Sequence, residues 1–151
     1  MSDKIVVGTD GSETAQRAVD EAVRLAKALD GELHVVTAYR SLRGAKISGA
    51  PEGAAKVWAV LPDSQAQAIL DEAVSRVRIG GVKAEPHLLE RDPADALLEV
   101  AGEVGAGMIV VGNRGMAGAR RVLGSVPNRV SHAAPCNVLI VSTGKPLAES
   151  A

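Results

Sequence analysis

The chain has 151 residues, 46% of them apolar, and a net charge of −1, which fits one domain with one core and excludes a strong global attraction to nucleic acid or an acidic membrane. With no Phe, one Trp and one Tyr, the core must consist of Val, Leu, Ile and Ala. The single cysteine, Cys136, excludes an internal disulfide, and no Cys-x-x-Cys or paired histidines indicate a metal site.

The first part of the chain is predicted to form a strand, a helix and a second strand. Lys4 to Thr9 is a β-branched run typical of a parallel strand buried on both faces. Asp10 or Ser12 can cap the following helix, whose apolar stripe extends from Ala15 to Leu29. Leu33 to Ala38 repeats the strand pattern, which predicts a right-handed βαβ unit. At the carboxyl end of the first strand, Asp10 fits two roles: helix cap, or acceptor for a ribose or base edge.

The middle of the chain is less regular. Residues 41–62 contain three glycines and two prolines, and we interpret them as an irregular insertion or a lid. Ser64 is expected to cap a second helix, and Val82 to Leu89 alternates as a strand. Pro86 within that strand predicts a position at a sheet edge.

The last part of the chain continues the alternation. Asp92 and Pro93 begin a helix, and Met108 to Val111 is an apolar strand that runs into a glycine-rich segment. Ser125 is expected to cap the next helix, and Asn137 to Ser142 is the last strand. The polar tail, residues 143–151, is expected to be loose.

This order of elements predicts an α/β fold. We expect one open five-stranded parallel sheet in the order 3-2-1-4-5 with helices on both faces, because the strand that holds Pro86 belongs at an edge. Strands one and four then lie side by side where the order reverses. Ligands of such sheets bind beyond the carboxyl ends of the strands at this reversal, so Thr9 and Asp10 should face the segment from Gly112 to Ser125.

The glycine-rich segment has the composition of an anion site. Glycines at 112, 115, 118 and 124 allow close backbone approach, arginines at 114, 120 and 121 add positive charge, and the start of the next helix attracts anions. The glycines alone favour an ordinary surface turn. The position opposite Asp10 instead favours a nucleotide, with ribose or base near Asp10 and phosphates near residues 112–126.

Four stretches resemble the universal stress protein family: Val-Gly-Thr-Asp-Gly-Ser at 7–12, Val-Val-Gly-Asn-Arg-Gly at 110–115, Leu-Gly-Ser-Val-Pro at 123–127 and Ala-Pro-Cys-Asn-Val-Leu-Ile-Val at 134–141. The resemblance extends from Lys4 to Ser142. It implies a homodimeric, adenine nucleotide alpha hydrolase-like fold and a stress-response regulator or binding module. Many members bind ATP through Gly-x-x-Gly, nine residues, and Gly-Ser or Gly-Thr.

Carried over by position, the resemblance implies a set of nucleotide-binding residues: Thr9, Asp10 and Ala38 on the adenine and ribose side, and Val111, Gly112, Asn113, Arg114, Gly115, Gly124, Ser125 and Val126 toward the ribose and phosphates. Two positions depart from the family pattern. Eight residues, not nine, separate Gly115 from Gly124. Arg91 stands where the family often has glycine, and it would either pair with phosphate or obstruct it. ATP, which Mg can accompany, is the expected ligand, and cyclic AMP or AMP is the alternative, since a shorter loop suits one phosphate.

The sequence favours a binding protein over an enzyme. It has no Gly-Lys-Ser or Gly-Lys-Thr and no metal-binding acidic pair beside Asp10, so slow ATP hydrolysis is the most we expect. His34 and His87 have no companion Ser, Cys or ligand-spaced carboxylate, and we assign neither a catalytic role. The alternatives are a cyclic AMP-binding protein of the same fold and a ligand-free dimeric interaction module, with a nucleotidyl-transfer enzyme ranked last.

The last strand predicts self-association. Its apolar residues from Val138 to Val141 would lie uncovered at a sheet edge, and pairing with a second copy covers them, so we expect a homodimer. The alternative is a tail that folds back over the strand. We further expect residues 1–151 to form a single domain in the cytoplasm, without a nucleic-acid or membrane partner.

Overall fold

The computed structural model describes residues 3–40, 63–113 and 126–142. In these ranges strands and helices alternate: β1 (Lys4–Gly8), α1 (Glu13–Leu29), β2 (Glu32–Tyr39), α2 (Asp63–Ile79), β3 (Ala84–Glu90), α3 (Pro93–Val104), β4 (Met108–Gly112), α4 (Val126–Ala133) and β5 (Asn137–Val141). The strands form one parallel sheet in the order β3-β2-β1-β4-β5. The predicted fold class is thereby confirmed, with β3 and its Pro86 at an edge. The predicted lid at 41–62 and the tail at 143–151 lie outside the described residues.

The sheet is covered on both faces, which explains why the interiors of β1 and β4 are apolar. On β1, Ile5 and Val7 face a core formed with α1 and α2, whereas Val6 faces a second core formed with α3 and α4. All three side chains are essentially inaccessible to solvent. Side chains alternate between the two faces of a strand, so a strand buried on both faces has few polar positions.

Local chemistry sets the helix ends. Ser12 is the N-cap of α1, and its Oγ accepts a hydrogen bond from the N–H of Ala15 at 3.2 Å. Of the two predicted caps, Ser12 rather than Asp10 therefore begins the helix. Asp30 ends α1 with a left-handed φ of 53°. Asp92 caps α3, as predicted, and its side chain accepts hydrogen bonds from the N–H groups of Ala94 and Asp95.

Several predicted boundaries were wrong by one or two residues. Helix α2 begins at Asp63, so Ser64 lies inside its first turn and is not the N-cap; the Asp63 carboxylate instead accepts from the Ser64 N–H at 2.8 Å. Strand β3 begins at Ala84 rather than Val82, because the Val82 N–H closes the end of α2 by donating to the Val77 carbonyl at 3.3 Å. Strands β1 and β5 each end one residue earlier than predicted.

Candidate functional site

The carboxyl ends of β1 and β4 lie side by side, as the predicted reversal in strand order requires. Val7 of β1 is in register with Val110 of β4, and each strand continues for one or two residues beyond that pair. Thr9 and Asp10 therefore leave the sheet next to Gly112 and Asn113. This edge of the sheet is the switch point at which open α/β folds bind their ligands.

Thr9 is fixed by three hydrogen bonds in the turn after β1. Its N–H donates to the Val36 carbonyl at 2.9 Å, its carbonyl accepts from the Thr37 hydroxyl at 3.0 Å, and its hydroxyl accepts from the Gly11 N–H at 3.1 Å. Thr37 is fully buried and Thr9 nearly so. The Thr9 side chain thus shapes the turn, and Thr37 orients it from β2.

Asp10 follows Thr9 and is exposed. One carboxylate oxygen, Oδ1, accepts from the Ser12 N–H at 2.9 Å. Gly11 has a φ of +82°, and a Cβ there would lie 3.0 Å from the side chain of Ile69 on α2. Positive φ and close approach both require glycine at this position. The turn therefore presents the Asp10 carboxylate to solvent at the carboxyl edge of the sheet.

The other predicted site residues on the sheet differ in what they can offer a ligand. Val111 is buried in the second core, which leaves its backbone as the part that can face the crevice. Asn113 donates its N–H to the Val141 carbonyl at 3.0 Å, which ties the end of β4 to β5. Ala38, two residues beyond the register partner of Gly8, is partly buried against the second core. Gly112 is the last residue of β4.

The glycine-rich segment is described only at its two ends. Four predicted site residues lie outside the described residues: Arg114, Gly115, Gly124 and Ser125, the last of which is also the predicted cap of the last helix. Val126 is the first residue of α4 and packs against the second core. The structure thus brings Thr9, Asp10, Ala38, Val111, Gly112 and Asn113 to one edge of the sheet.

Helix α4 is tied to α3 by an ion-pair cluster that the sequence did not indicate. Arg129 donates through Nη1 to the Asp92 carboxylate and through Nη2 to Asp95 Oδ1 at 2.7 Å. The charge of Asp92 raises the pKa of Arg129, with a further contribution from Asp95. Acidic residues in the first turn of a helix are already favoured by the helix dipole, so Asp92 and Asp95 alone did not point to Arg129. We call Asp92, Asp95 and Arg129 the α3–α4 junction.

Arg91 lies next to this junction. Its Nε is 2.7 Å and its Nη2 3.3 Å from the two carboxylate oxygens of Glu99 on α3. Both roles predicted for Arg91 required its guanidinium to face phosphate. In the structure that guanidinium instead pairs with the carboxylate of Glu99, eight residues further along the chain.

Two general features of the described residues bear on the site. In ranges 3–40, 63–113 and 126–142, no three or more His, Cys, Asp or Glu side chains are grouped so that they could hold a metal ion. Within the same ranges, no helix is long and apolar enough to cross a membrane.

Comparison with known proteins agrees with this architecture. The family model "Universal stress protein family" matches residues 1–142. A universal stress protein of Mycobacterium tuberculosis is 40% identical in an alignment that covers 92% of this chain and 95% of that protein. A crystal structure of a universal stress protein in complex with cAMP is 38% identical, with a TM-score of 0.72 and coverage of 93% and 97%. A universal stress protein from Archaeoglobus fulgidus in complex with dAMP is 28% identical, with a TM-score of 0.64 and coverage of 91% and 95%. The chain belongs to the universal stress protein family.

Proposed function

We propose that this protein binds an adenine nucleotide that carries one phosphate, cyclic AMP first, at the carboxyl ends of β1 and β4. The observation that carries the proposal is the placement of Thr9 and Asp10 beside Gly112 and Asn113 at the switch point of the sheet. The adenine chemistry comes from the relatives, because two structures at 38% and 28% identity hold cAMP and dAMP.

Each part of the proposed ligand is assigned to residues whose chemistry suits it. The exposed Asp10 carboxylate is an acceptor suited to a ribose hydroxyl or a base amine. Gly112 and Asn113 bring backbone close to the ligand at the end of β4. The phosphate is assigned to the N–H groups that open α4 at Val126, where helix geometry favours an anion. The roles of Arg114, Gly115, Gly124 and Ser125 follow from the family resemblance.

ATP is the second candidate. The order Gly112, Gly115, Gly124, Ser125 follows the family's ATP motif, and Mg would then accompany the phosphates. The eight-residue spacing between Gly115 and Gly124 favours the smaller ligand, because a shortened loop has less backbone with which to surround three phosphates.

We further propose a binding role rather than catalysis. Burial raises the pKa of the Cys136 thiol, so this group stays protonated near neutral pH and is a poor nucleophile. The nucleotide-bound protein would act as a stress-response regulator in the cytoplasm, where the reducing environment keeps a free cysteine such as Cys136 reduced.

A homodimer through β5 is part of the same proposal. β5 is an edge strand paired on one side with β4, and Ile140 is 38% exposed. An exposed apolar edge favours pairing with a second copy over residues 138–141. Light scattering at micromolar concentration should give twice the chain mass of 15.5 kDa, and a monomer mass would contradict the dimer.

Calorimetric titration of nucleotide-free protein with cyclic AMP, AMP and ATP with Mg tests the ligand. We expect cyclic AMP to bind most tightly, with a dissociation constant well below about 1 mM, which corresponds to roughly −4 kcal/mol. Gly112→Val adds a branched side chain at the end of β4, where the proposed ligand approaches the backbone, and should weaken binding at least about tenfold, or roughly 1.4 kcal/mol.

Gly102→Val is the matched control, because a Cβ at Gly102 on α3 would meet nothing within 4 Å. It should bind like the unmodified protein. If ATP binds best, the ATP candidate replaces cyclic AMP. If no nucleotide binds below about 1 mM, the protein is a ligand-free interaction module instead.

A further inference from the structure

Away from the candidate site, three side chains of β2 and β3 form a continuous hydrogen-bonded chain. His34 Nε2 lies 2.9 Å from Glu32 Oε1, and His34 Nδ1 lies 2.9 Å from His87 Nε2. The ring centroids are 5.1 Å apart, so the rings meet end to end through these nitrogens rather than stacking. His34 is buried and His87 is half-buried. We call Glu32, His34 and His87 the histidine clip.

The clip accepts one extra proton but not two. A carboxylate only accepts hydrogen bonds, so His34 Nε2 carries the proton shared with Glu32. When both rings are neutral, the proton between them belongs to His87 Nε2. A pair with one positive charge still has a single proton between the rings and keeps every contact. A second positive charge would put two protons between nitrogens 2.9 Å apart and must break the bond between the rings.

The groups around His87 disfavour its protonated form, although two of them act in the opposite direction. Burial is the larger cause that lowers the pKa of His87, and the charge of His34 lowers it further. Glu103 on α3 and Glu85 on β3 act in the other direction. The hydrogen bond from His34 holds the pKa of Glu32 below its ordinary value, so Glu32 remains a carboxylate through mild acid.

Other charged groups near the clip are already engaged or lie at its margin. Lys83 Nζ is 3.4 Å from Glu32 Oε2, and Arg78 of α2 donates to the Ala84 carbonyl at 3.0 Å. Glu32 also borders a cavity of about 580 Å³ whose remaining charged residues are Asp3, Lys4, Lys27, Asp30 and Lys83. This cavity gives water access to the carboxylate end of the clip.

We propose that the histidine clip ties the edge strand β3 to β2 at neutral pH and releases β3 in mild acid, when the pair takes up a second proton. The clip adds a side-chain link to the backbone ladder between these strands. β3 is one of the two edge strands and has a neighbour on one side only, so it can open without disrupting the rest of the sheet. The proposal does not depend on nucleotide binding.

The direction with pH follows from proton linkage. Because the pKa of His87 is lowered on folding, the unfolded chain binds more protons than the folded chain below about pH 6.5, the ordinary value for histidine. The stabilisation is therefore complete above about pH 6.5 and is lost as the pH falls toward the folded value. A difference of one proton raises the opening constant by at most about tenfold per pH unit.

Urea unfolding of the full chain between about pH 5 and about pH 8, together with amide hydrogen exchange, tests the clip. His87→Gln is the informative variant, because the Gln amide can donate to His34 Nδ1 but does not titrate. We expect the unmodified protein to lose stability below about pH 6.5 and His87→Gln to show a flatter profile. Protection in β3 should fall before protection in β1 and β4.

His132→Gln supplies the matched control, since His132 is the third histidine of the chain and is exposed on α4. It should keep the pH profile of the unmodified protein. Equal slopes for His87→Gln and the unmodified protein would overturn the clip. Simultaneous loss of protection in β3 and β1 would overturn the release of β3 and leave only a global effect.

Discussion

Two regions support the candidate site, and they are held by different forces. The turn after β1, residues 9–12, is fixed mainly by three neutral hydrogen bonds of Thr9, which accepts from Thr37 and Gly11 and donates to the Val36 carbonyl, in surroundings at least partly shielded from water. The α3–α4 junction is fixed by ion pairs, and its Arg129 side chain is 39% exposed. One support rests on packing and satisfied backbone groups, the other on charges near water.

The difference teaches how each support responds to change. A buried neutral hydrogen bond is costly to leave half-made, because the remaining partner has no water to replace it. Partly exposed ion pairs contribute less and weaken as salt screens them. The turn after β1 should therefore be the stiff half of the site, and the junction the half whose strength depends on ionic strength.

Gly11→Ala should produce the largest loss of stability. The added Cβ meets both a φ of +82° and the side chain of Ile69 at 3.0 Å. A non-glycine residue at positive φ costs about 1–2 kcal/mol, and overpacking adds about 1–3 kcal/mol. Urea unfolding should show a total loss of about 2–5 kcal/mol.

A second glycine separates the two causes. Gly81 also has a positive φ, of +87°, but a Cβ there would meet only the flexible end of Lys27 at 4.0 Å. Gly81→Ala should therefore lose only the backbone part, about 1–2 kcal/mol. Equal losses at the two positions would show that contact with Ile69 contributes nothing to the stiffness of the turn.

Thr37→Val should have the next largest effect. The substitution keeps the shape of the side chain but removes the donor to the Thr9 carbonyl, which is bonded at 3.0 Å in a buried setting. We expect a loss of about 1–3 kcal/mol and weaker nucleotide binding, because Thr9 precedes Asp10 in the proposed site. Thr37→Ser, which retains the hydroxyl, should restore binding. If Thr37→Val binds nucleotide like the unmodified protein, Thr37 acts on stability alone.

The sequence predicted the fold far better than the supports of the site. A strand such as residues 5–7 can be predicted from the sequence, because burial on both faces of the sheet selects a continuous run of apolar residues. Pro86 then fixed an edge and, with it, the strand order. The sequence placed Asp10 and Gly112 at the ends of neighbouring strands because strand order decides which carboxyl ends meet, and their contact with a ligand stays a prediction.

Contacts between residues far apart in the chain could not be read in the same way. Thr37 is bonded to Thr9 at a separation of 28 residues, and Arg129 to Asp92 at 37. His34 has a carboxylate partner two residues before it, Glu32, which was overlooked in the sequence, and only the parallel pairing of β2 with β3 brings the ring of His34 to that of His87. The long-range partners depend on strand register and helix packing, which no local pattern records.

Arg129→Gln should have the smallest effect that can still be measured, and it tests the junction directly. The change leaves Asp92 with the two N–H groups of its own helix, so we expect a loss of only about 1 kcal/mol after allowing for solvent screening. That loss should shrink as salt is raised, whereas the loss from Thr37→Val should not.

Arg91→Gln is the matched control, because it breaks the exposed pair with Glu99 and should change neither stability nor nucleotide affinity measurably. A salt-independent loss at Arg129 would mean that α4 is held by packing of the arginine stem rather than by charge. Weaker nucleotide binding in Arg91→Gln would mean that its guanidinium leaves Glu99 for the phosphate.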